Sequence, residues 1–132
     1  MHKIVQDFVD KIQTEKESGR KFHEYELLYK YSKFHSYWKG KRIEYELKRK
    51  PLRATIYQEL RKTAKTQKDA EMQAECSSQY QELIETLIEA TQASLDSGAL
   101  LAGLECRIDT EKRNEIADHV ARKHANADGY GS

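Results

Sequence analysis

Apolar residues recur along most of this chain at helical spacing, and nowhere do they show the period-two alternation of a strand. Ile4, Val5, Phe8, Val9 and Ile12 fall at i, i+3, i+4 intervals, which predicts a short amphipathic helix over residues 2–14, a mobile docking arm that ends before Ser18-Gly19. From Phe22 onward Leu27, Tyr31, Phe34, Trp38, Tyr45, Leu52 and Ile56 mark one face of a long helix spanning residues 20–63. Tyr25, Leu28, Tyr29, Ile43 and Leu47 occupy its adjoining faces. Pro51 lacks an amide donor and crowds the preceding turn, so a kink or a restart is expected near Lys50.

Thr66 followed by Asp69 has the form of a capping box, which predicts a turn and then a new helix. Ser77-Ser78 is expected to interrupt that helix. Beyond it Tyr80, Leu83, Ile84, Leu87, Ile88, Leu95, Leu101, Leu104 and Ile108 form the strongest apolar repeat in the chain. Set within this repeat are the small residues Ala90, Ala93, Ser94, Ser97, Gly98, Ala99, Ala102 and Gly103. Each glycine costs about 1 kcal/mol of helix propensity relative to Ala, which points to close packing at these positions. A last helix over residues 110–123 keeps Ile116 and Val120 on one side, and ANADGYGS reads as a disordered tail.

The pattern predicts an all-α fold: a long antiparallel helical hairpin with short N- and C-terminal helices, divided into an N-terminal helix (1–19), the hairpin domain (20–124) and the tail (125–132). Two helices alone bury little apolar surface, so the chain is expected to associate with copies of itself. Leu87, Ala90, Ser94, Gly98, Leu101, Ala102, Ile116 and Val120 are the expected contacts.

Charge changes this picture more than composition does. The 132 residues are 34% charged and 38% hydrophobic, with a formal net charge of only +1. The mean hydropathy of −0.91 is low for a compact globule. Yet residues 20–65 hold 14 Lys/Arg against 5 Asp/Glu, a balance of +9, whereas residues 66–111 hold 2 against 10, a balance of −8. A ligand meets the local field, so the neutral total says little about partners. Glu82, Glu85, Glu89 and Asp96 on the acidic arm are placed to neutralise part of the basic one.

No stretch of about 18 apolar residues is present, so no membrane span is expected, and the acids near the N-terminus argue against a signal peptide. A cytoplasmic protein is expected. Cys76 and Cys106 read as small helical fillers, not as a disulfide or a metal site. Nucleotide-loop, nucleophile-elbow and zinc-binding motifs are all missing, and the five histidines form no i, i+4 pair and read as solvated surface residues. The expectation is therefore a protein without catalytic residues, cofactors or metal.

Positive chemistry gathers on the basic arm. Nine of the chain's twelve Phe, Tyr and Trp residues lie between Phe22 and Tyr57. Single-stranded nucleic acid is gripped without sequence preference by cations along a groove and by flat rings that stack on unpaired bases. Lys33, Tyr37, Trp38, Lys39, Lys41, Arg42 and Tyr45 form one such mixture, Lys48, Arg49, Lys50 and Arg53 a second cluster, and Arg61, Lys62 and Lys65 a third near the bend. Lys48 to Arg53 repel one another with no acid inside that run to relieve them. Tyr31, Phe34 and Trp38, by their spacing, suit packing in a helix seam better than base stacking.

The segment Tyr31-Ser32-Lys33-Phe34 resembles the opening of the long basic helix in UvsY-type recombination mediators of tailed phages. Gln79-Tyr80, followed by Leu83, Ile84, Leu87 and Ser97-Gly98-Ala99-Leu100, is similar to the second helix of that family, so the likeness spans residues 25–116. The paired tyrosines and basic residues that such proteins often carry at the bend are missing, with Tyr57 and Arg61-Lys62 the nearest substitutes. The resemblance implies a non-enzymatic, ring-forming protein in the host cytoplasm that binds single-stranded DNA, displaces a single-strand-binding protein and helps to load a RecA-like recombinase. The residues by themselves leave alternatives open: a protein-binding helical adaptor or phage-encoded inhibitor whose basic arm pairs internally with the acidic one, and, behind it, an enzyme with a carboxylate site that no motif marks.

Overall fold

Four helices, α1 (Lys3–Glu17), α2 (Glu24–Arg61), α3 (Gln67–Glu75) and α4 (Ser78–Tyr130), make up the chain in a computed structural model that describes residues 1–130, with side chains described through Asn126. The fold is all-α, with one long helix pair and two short helices; among the described residues there is no strand. Each helix start is satisfied by a side chain that accepts an orphan amide. Thr66 Oγ1 accepts from the Asp69 amide at 3.1 Å, as its capping-box spacing predicts. Ser77 Oγ accepts from the Tyr80 amide at 3.2 Å, which is why the chain breaks there and restarts as α4. The first two helices are capped by the imidazoles of His2 and His23, with Nδ1 accepting from the Ile4 and Tyr25 amides. These histidines, expected as solvated surface groups, thus have structural roles. Gly19, at φ +98°, supplies the left-handed turn that reverses the chain after α1.

α2 and α4 run antiparallel. The register is fixed where His35 Nδ1 meets Ser97 Oγ at 3.0 Å, with Leu27 packed among Leu104 and Ile108 at one end and Leu52 beside Leu83 at the other. Tyr31, Phe34, Trp38, Tyr45, Leu52 and Ile56 are half-buried along the seam, and Tyr25, Tyr29, Ile43 and Leu47 are exposed on the adjoining faces, in keeping with the spacing. α1 is not a free arm. It lies over one end of the hairpin, where Phe8 stacks on Phe34 with ring centroids 4.0 Å apart and meets Tyr31 edge-on, while Ile12 enters the core with Leu27, Leu104 and Ile108. α3 covers the other end through the buried Ala70 and Ala74.

Several expectations are corrected. The segment over residues 110–123 is no separate helix: it continues α4 without a break, since nothing from Asp109 to Lys112 terminates a helix and no proline follows. Residues 125–130, expected as disordered tail, also belong to α4, where Ala121, Ala125 and Ala127 have strong helix propensity; residues 131 and 132 lie outside the described residues. α2 passes through Pro51 without restarting. The carbonyl that Pro51 cannot bond belongs to Leu47, which is 71% exposed, so the missing hydrogen bond falls on the solvent side of the helix and not on the seam. Cys76 and Cys106 are exposed, not packing fillers. Among the described residues no helix is long and apolar enough to cross a membrane.

The small residues of α4 mostly face inward. Ala90 and Ala93 are wholly buried, Ser94 and Ser97 nearly so, and Leu87 joins them. Gly98 lies against His35, where a Cβ would stand 3.0 Å from Cε1. Leu87, Ala90, Ser94 and Gly98 therefore receive α2 of their own chain and offer little to a second copy. Gly103 has open space where its Cβ would be. Of the other expected contact residues, Leu101 is half-buried, while Ala102, Ile116 and Val120 are exposed.

Candidate nucleic-acid interface

The basic side chains of α2 stand on a 38-residue helix that turns one narrow stripe inward, so the rest of its circumference is free to carry charge. Their partners are local. Lys41 and Lys48 share Glu44, at 3.2 and 3.0 Å; Arg49 pairs with Glu46 at 3.0 Å and Lys62 with Glu59 at 3.2 Å, all within one turn of α2. The repulsion within Lys48–Arg53 is thus relieved by Glu44 and Glu46, one turn upstream of where sequence inspection looked. Arg53 alone reaches another helix, with Nη2 2.8 Å from Glu75 Oε1 of α3.

Among the described residues no acid of α4 forms an ion pair with α2. Asp96 accepts from the His2 backbone amide, and Glu89 lies 4.0 Å from His2 Nε2, so both face the start of α1. Among the described residues Glu82 and Glu85 make no ion pair, and neither do Lys33, Lys39, Arg42, Lys50, Arg61 or Lys65. Arg61 donates instead to the Ala64 carbonyl at 3.3 Å, fastening the bend. The pairs that do form are solvent-exposed and weak, so a phosphate can displace the carboxylate.

Glu44 is held below the usual carboxylate range by hydrogen bonds from Lys48 and then Lys41, and the same bond to Glu44 raises Lys41 above the ordinary lysine value. Lysines also lie over rings. Lys33 Nζ is 5.9 Å from the Tyr29 centroid, Lys41 is 5.8 Å from Tyr37 and 5.9 Å from Tyr45, and Lys48 is 5.9 Å from Tyr45. These contacts keep cation and ring on one ridge of the helix, three or four residues apart.

The expected site residues divide into three places. Lys33, Tyr37, Lys41, Tyr45 and Lys48 follow one ridge of α2, of which Lys33 and Tyr37 lie next to Phe8 of α1. Lys39, Arg42, Arg49, Lys50 and Arg53 follow the opposite flank by their spacing, and the last three line a cleft against α3 with Glu75 and Tyr80. Arg61, Lys62 and Lys65 surround the bend. Trp38 lies between the flanks, half-buried, its ring perpendicular to Tyr37 at 5.2 Å. Sequence inspection did not single out Tyr29, Lys30 or Phe8 for the site. The signal was present in Tyr29-Lys33-Tyr37-Lys41-Tyr45, an unbroken i, i+4 series, but the part played by Phe8 depends on where α1 docks.

No family model, no curated protein and no solved structure matches this chain. The resemblance to UvsY-type mediators therefore stands on the sequence motifs alone.

Proposed function

We propose that this protein is a non-enzymatic, self-associating binder of single-stranded DNA whose contact surface is α2. One observation carries the proposal: eight of the 14 cations of the basic arm have no carboxylate partner among the described residues, and only Arg53 of that arm pairs with the acids beyond the bend. The alternative, an adaptor whose basic arm is consumed internally, predicts the opposite pairing. A chain that leaves surplus positive charge beside exposed tyrosines on one rod has the two elements that non-specific single-strand binders combine. Self-association would repeat that rod around an assembly and multiply weak phosphate contacts through avidity. The resemblance supports a mediator's role for such an assembly, loading a RecA-like recombinase onto DNA coated by a single-strand-binding protein.

Salt decides the first step. If each protomer neutralises about five phosphates, raising salt from about 50 to 200 mM weakens oligo(dT) binding roughly 100-fold, from a slope near 0.7 per contact. Titrating labelled oligo(dT) at several salt concentrations measures the slope. Absence of binding at low salt, or binding indifferent to salt, rejects the proposal.

A further inference from the structure

Where α1 crosses α2, the two helices enclose a cleft of about 380 Å³ lined by Phe8, Tyr29, Lys30, Lys33, Phe34 and Tyr37. Four of the six are aromatic, two are cationic, and none is a carboxylate. Phe8 and Phe34 stack upon each other with planes 8° apart and fasten α1 to α2. Tyr29 and Tyr37 are not used in that packing: they are 65% and 56% exposed on either side of Lys33. A thin hydrophobic core, in which Val5 is the largest fully buried side chain, has left two large rings in water.

The chemistry of the lining selects an occupant. An apolar helix laid into the cleft would strip water from the Lys30 and Lys33 ammonium groups without replacing it, a cost of burying unpaired charge. A polyanion without bases would satisfy the lysines and leave the tyrosine faces idle. A nucleotide does both, with a flat base against a ring and a phosphate on an ammonium. Tyr29 and Tyr37 are eight residues apart, about 12 Å along the helix, while a stacked strand advances about 3.4 Å per nucleotide. That span equals about three to four stacked steps, or fewer nucleotides of an extended strand, and Lys33 lies midway to hold an intervening phosphate.

We infer that this cleft is a nucleobase-binding site, in which Tyr29 and Tyr37 stack on bases of an unpaired strand while Lys30 and Lys33 hold its phosphates. The inference rests on the single-strand reading above and adds that the site recognises bases as well as charge. Farther along the same ridge Lys41 and Lys48 continue the phosphate path.

The experiment compares oligo(dT) with an abasic deoxyribose-phosphate oligomer of the same length, titrated into the full chain and into Tyr29→Leu and Tyr37→Leu. Both positions are exposed and Leu is a good helix former, so the variants keep the fold, as far-UV circular dichroism will verify. Each substitution is expected to weaken oligo(dT) binding about 10-fold, the scale of one base–aromatic stack, with an unchanged salt slope and unchanged binding of the abasic oligomer. Trp38, the only tryptophan, touches Tyr37 and so reports on it: its emission should change on adding oligo(dT), not the abasic oligomer, and Tyr37→Leu should remove the response. Wild-type protein that binds both oligomers equally, or tyrosine variants that bind oligo(dT) like the wild type, overturn the base-binding site while leaving the charge-based proposal standing. If neither oligomer binds at low salt, both fail together.

Discussion

At Gly98 one missing methyl group decides how two helices meet. The Ser97 hydroxyl donates to the Ser94 carbonyl at 3.1 Å, so its lone pair is free to accept from His35 Nδ1–H at 3.0 Å, and the imidazole is thereby held with its Cε1 over Gly98. A Cβ there would require the ring to give by a few tenths of an ångström, against the bond that holds it. Gly103, by contrast, has nothing within 4 Å. Gly103→Ala should therefore stabilise the chain by about 1 kcal/mol, the full propensity difference, while Gly98→Ala should gain nothing or lose stability; thermal unfolding of the two variants measures the contrast. An equal gain at both positions would show that His35 yields freely. Charge at residue scale has its own test at Glu44. Its depressed ionisation favours the folded state above the ordinary carboxylate value and loses that favour as pH falls through the depressed one; the raised Lys41 contributes below the ordinary lysine value and loses it as pH rises through the raised one. The clamp is therefore closed throughout the neutral range, holding two ammonium groups on one carboxylate. Glu44→Gln should free both, tightening oligo(dT) binding several-fold and steepening its salt slope by about one contact's worth. Unchanged affinity would put Lys41 and Lys48 off the strand's path.

Elements were legible where periodicity is long. The seam of α2 and the apolar run of α4 were both readable from spacing, as were the cap at Thr66 and the break at Ser77, because each depends on residues within a turn of one another. Where a helix ends was less legible. The continuation of α4 past Asp109 is carried by ordinary helix formers on a segment without an inward face, and an apolar pattern has nothing to report there. Pro51 was misjudged for a related reason: its cost depends on which carbonyl it orphans, and Leu47 is on the wet side. Pro51→Ala should accordingly restore a solvent-side hydrogen bond and remove a ring clash, raising stability by about 1–3 kcal/mol in denaturant unfolding. A loss of stability would mean that the proline sets a curvature the α2–α4 seam needs.

Across the whole molecule, segregation of charge could be counted in the sequence, but its fate could not. Whether Glu85 or Glu89 meets a lysine depends on which side of α4 faces α2, and that is fixed by the inward small residues, which turn Glu89 and Asp96 toward α1. The same orientation removes Leu87, Ala90, Ser94 and Gly98 from the list of surfaces a second copy can use, and shifts the burden to the far end of α4. Every residue from Asp109 to Asn126 is exposed, with Ile116 at 65% and Val120 at 46% on one side, and α2 begins too late to cover them. A helix of this length with no packed face is marginal in water. Association through it should therefore be visible twice: sedimentation should show mass rising with concentration, and amide exchange over residues 109–126 should slow in step. Joint substitution Ile116→Asp and Val120→Asp should hold the chain monomeric without touching α2. The monomer should then retain the salt slope per protomer on a short oligo(dT) and lose the avidity gained on a long one, whereas a variant that still assembles would move the contact elsewhere, to Ala102 and its neighbours.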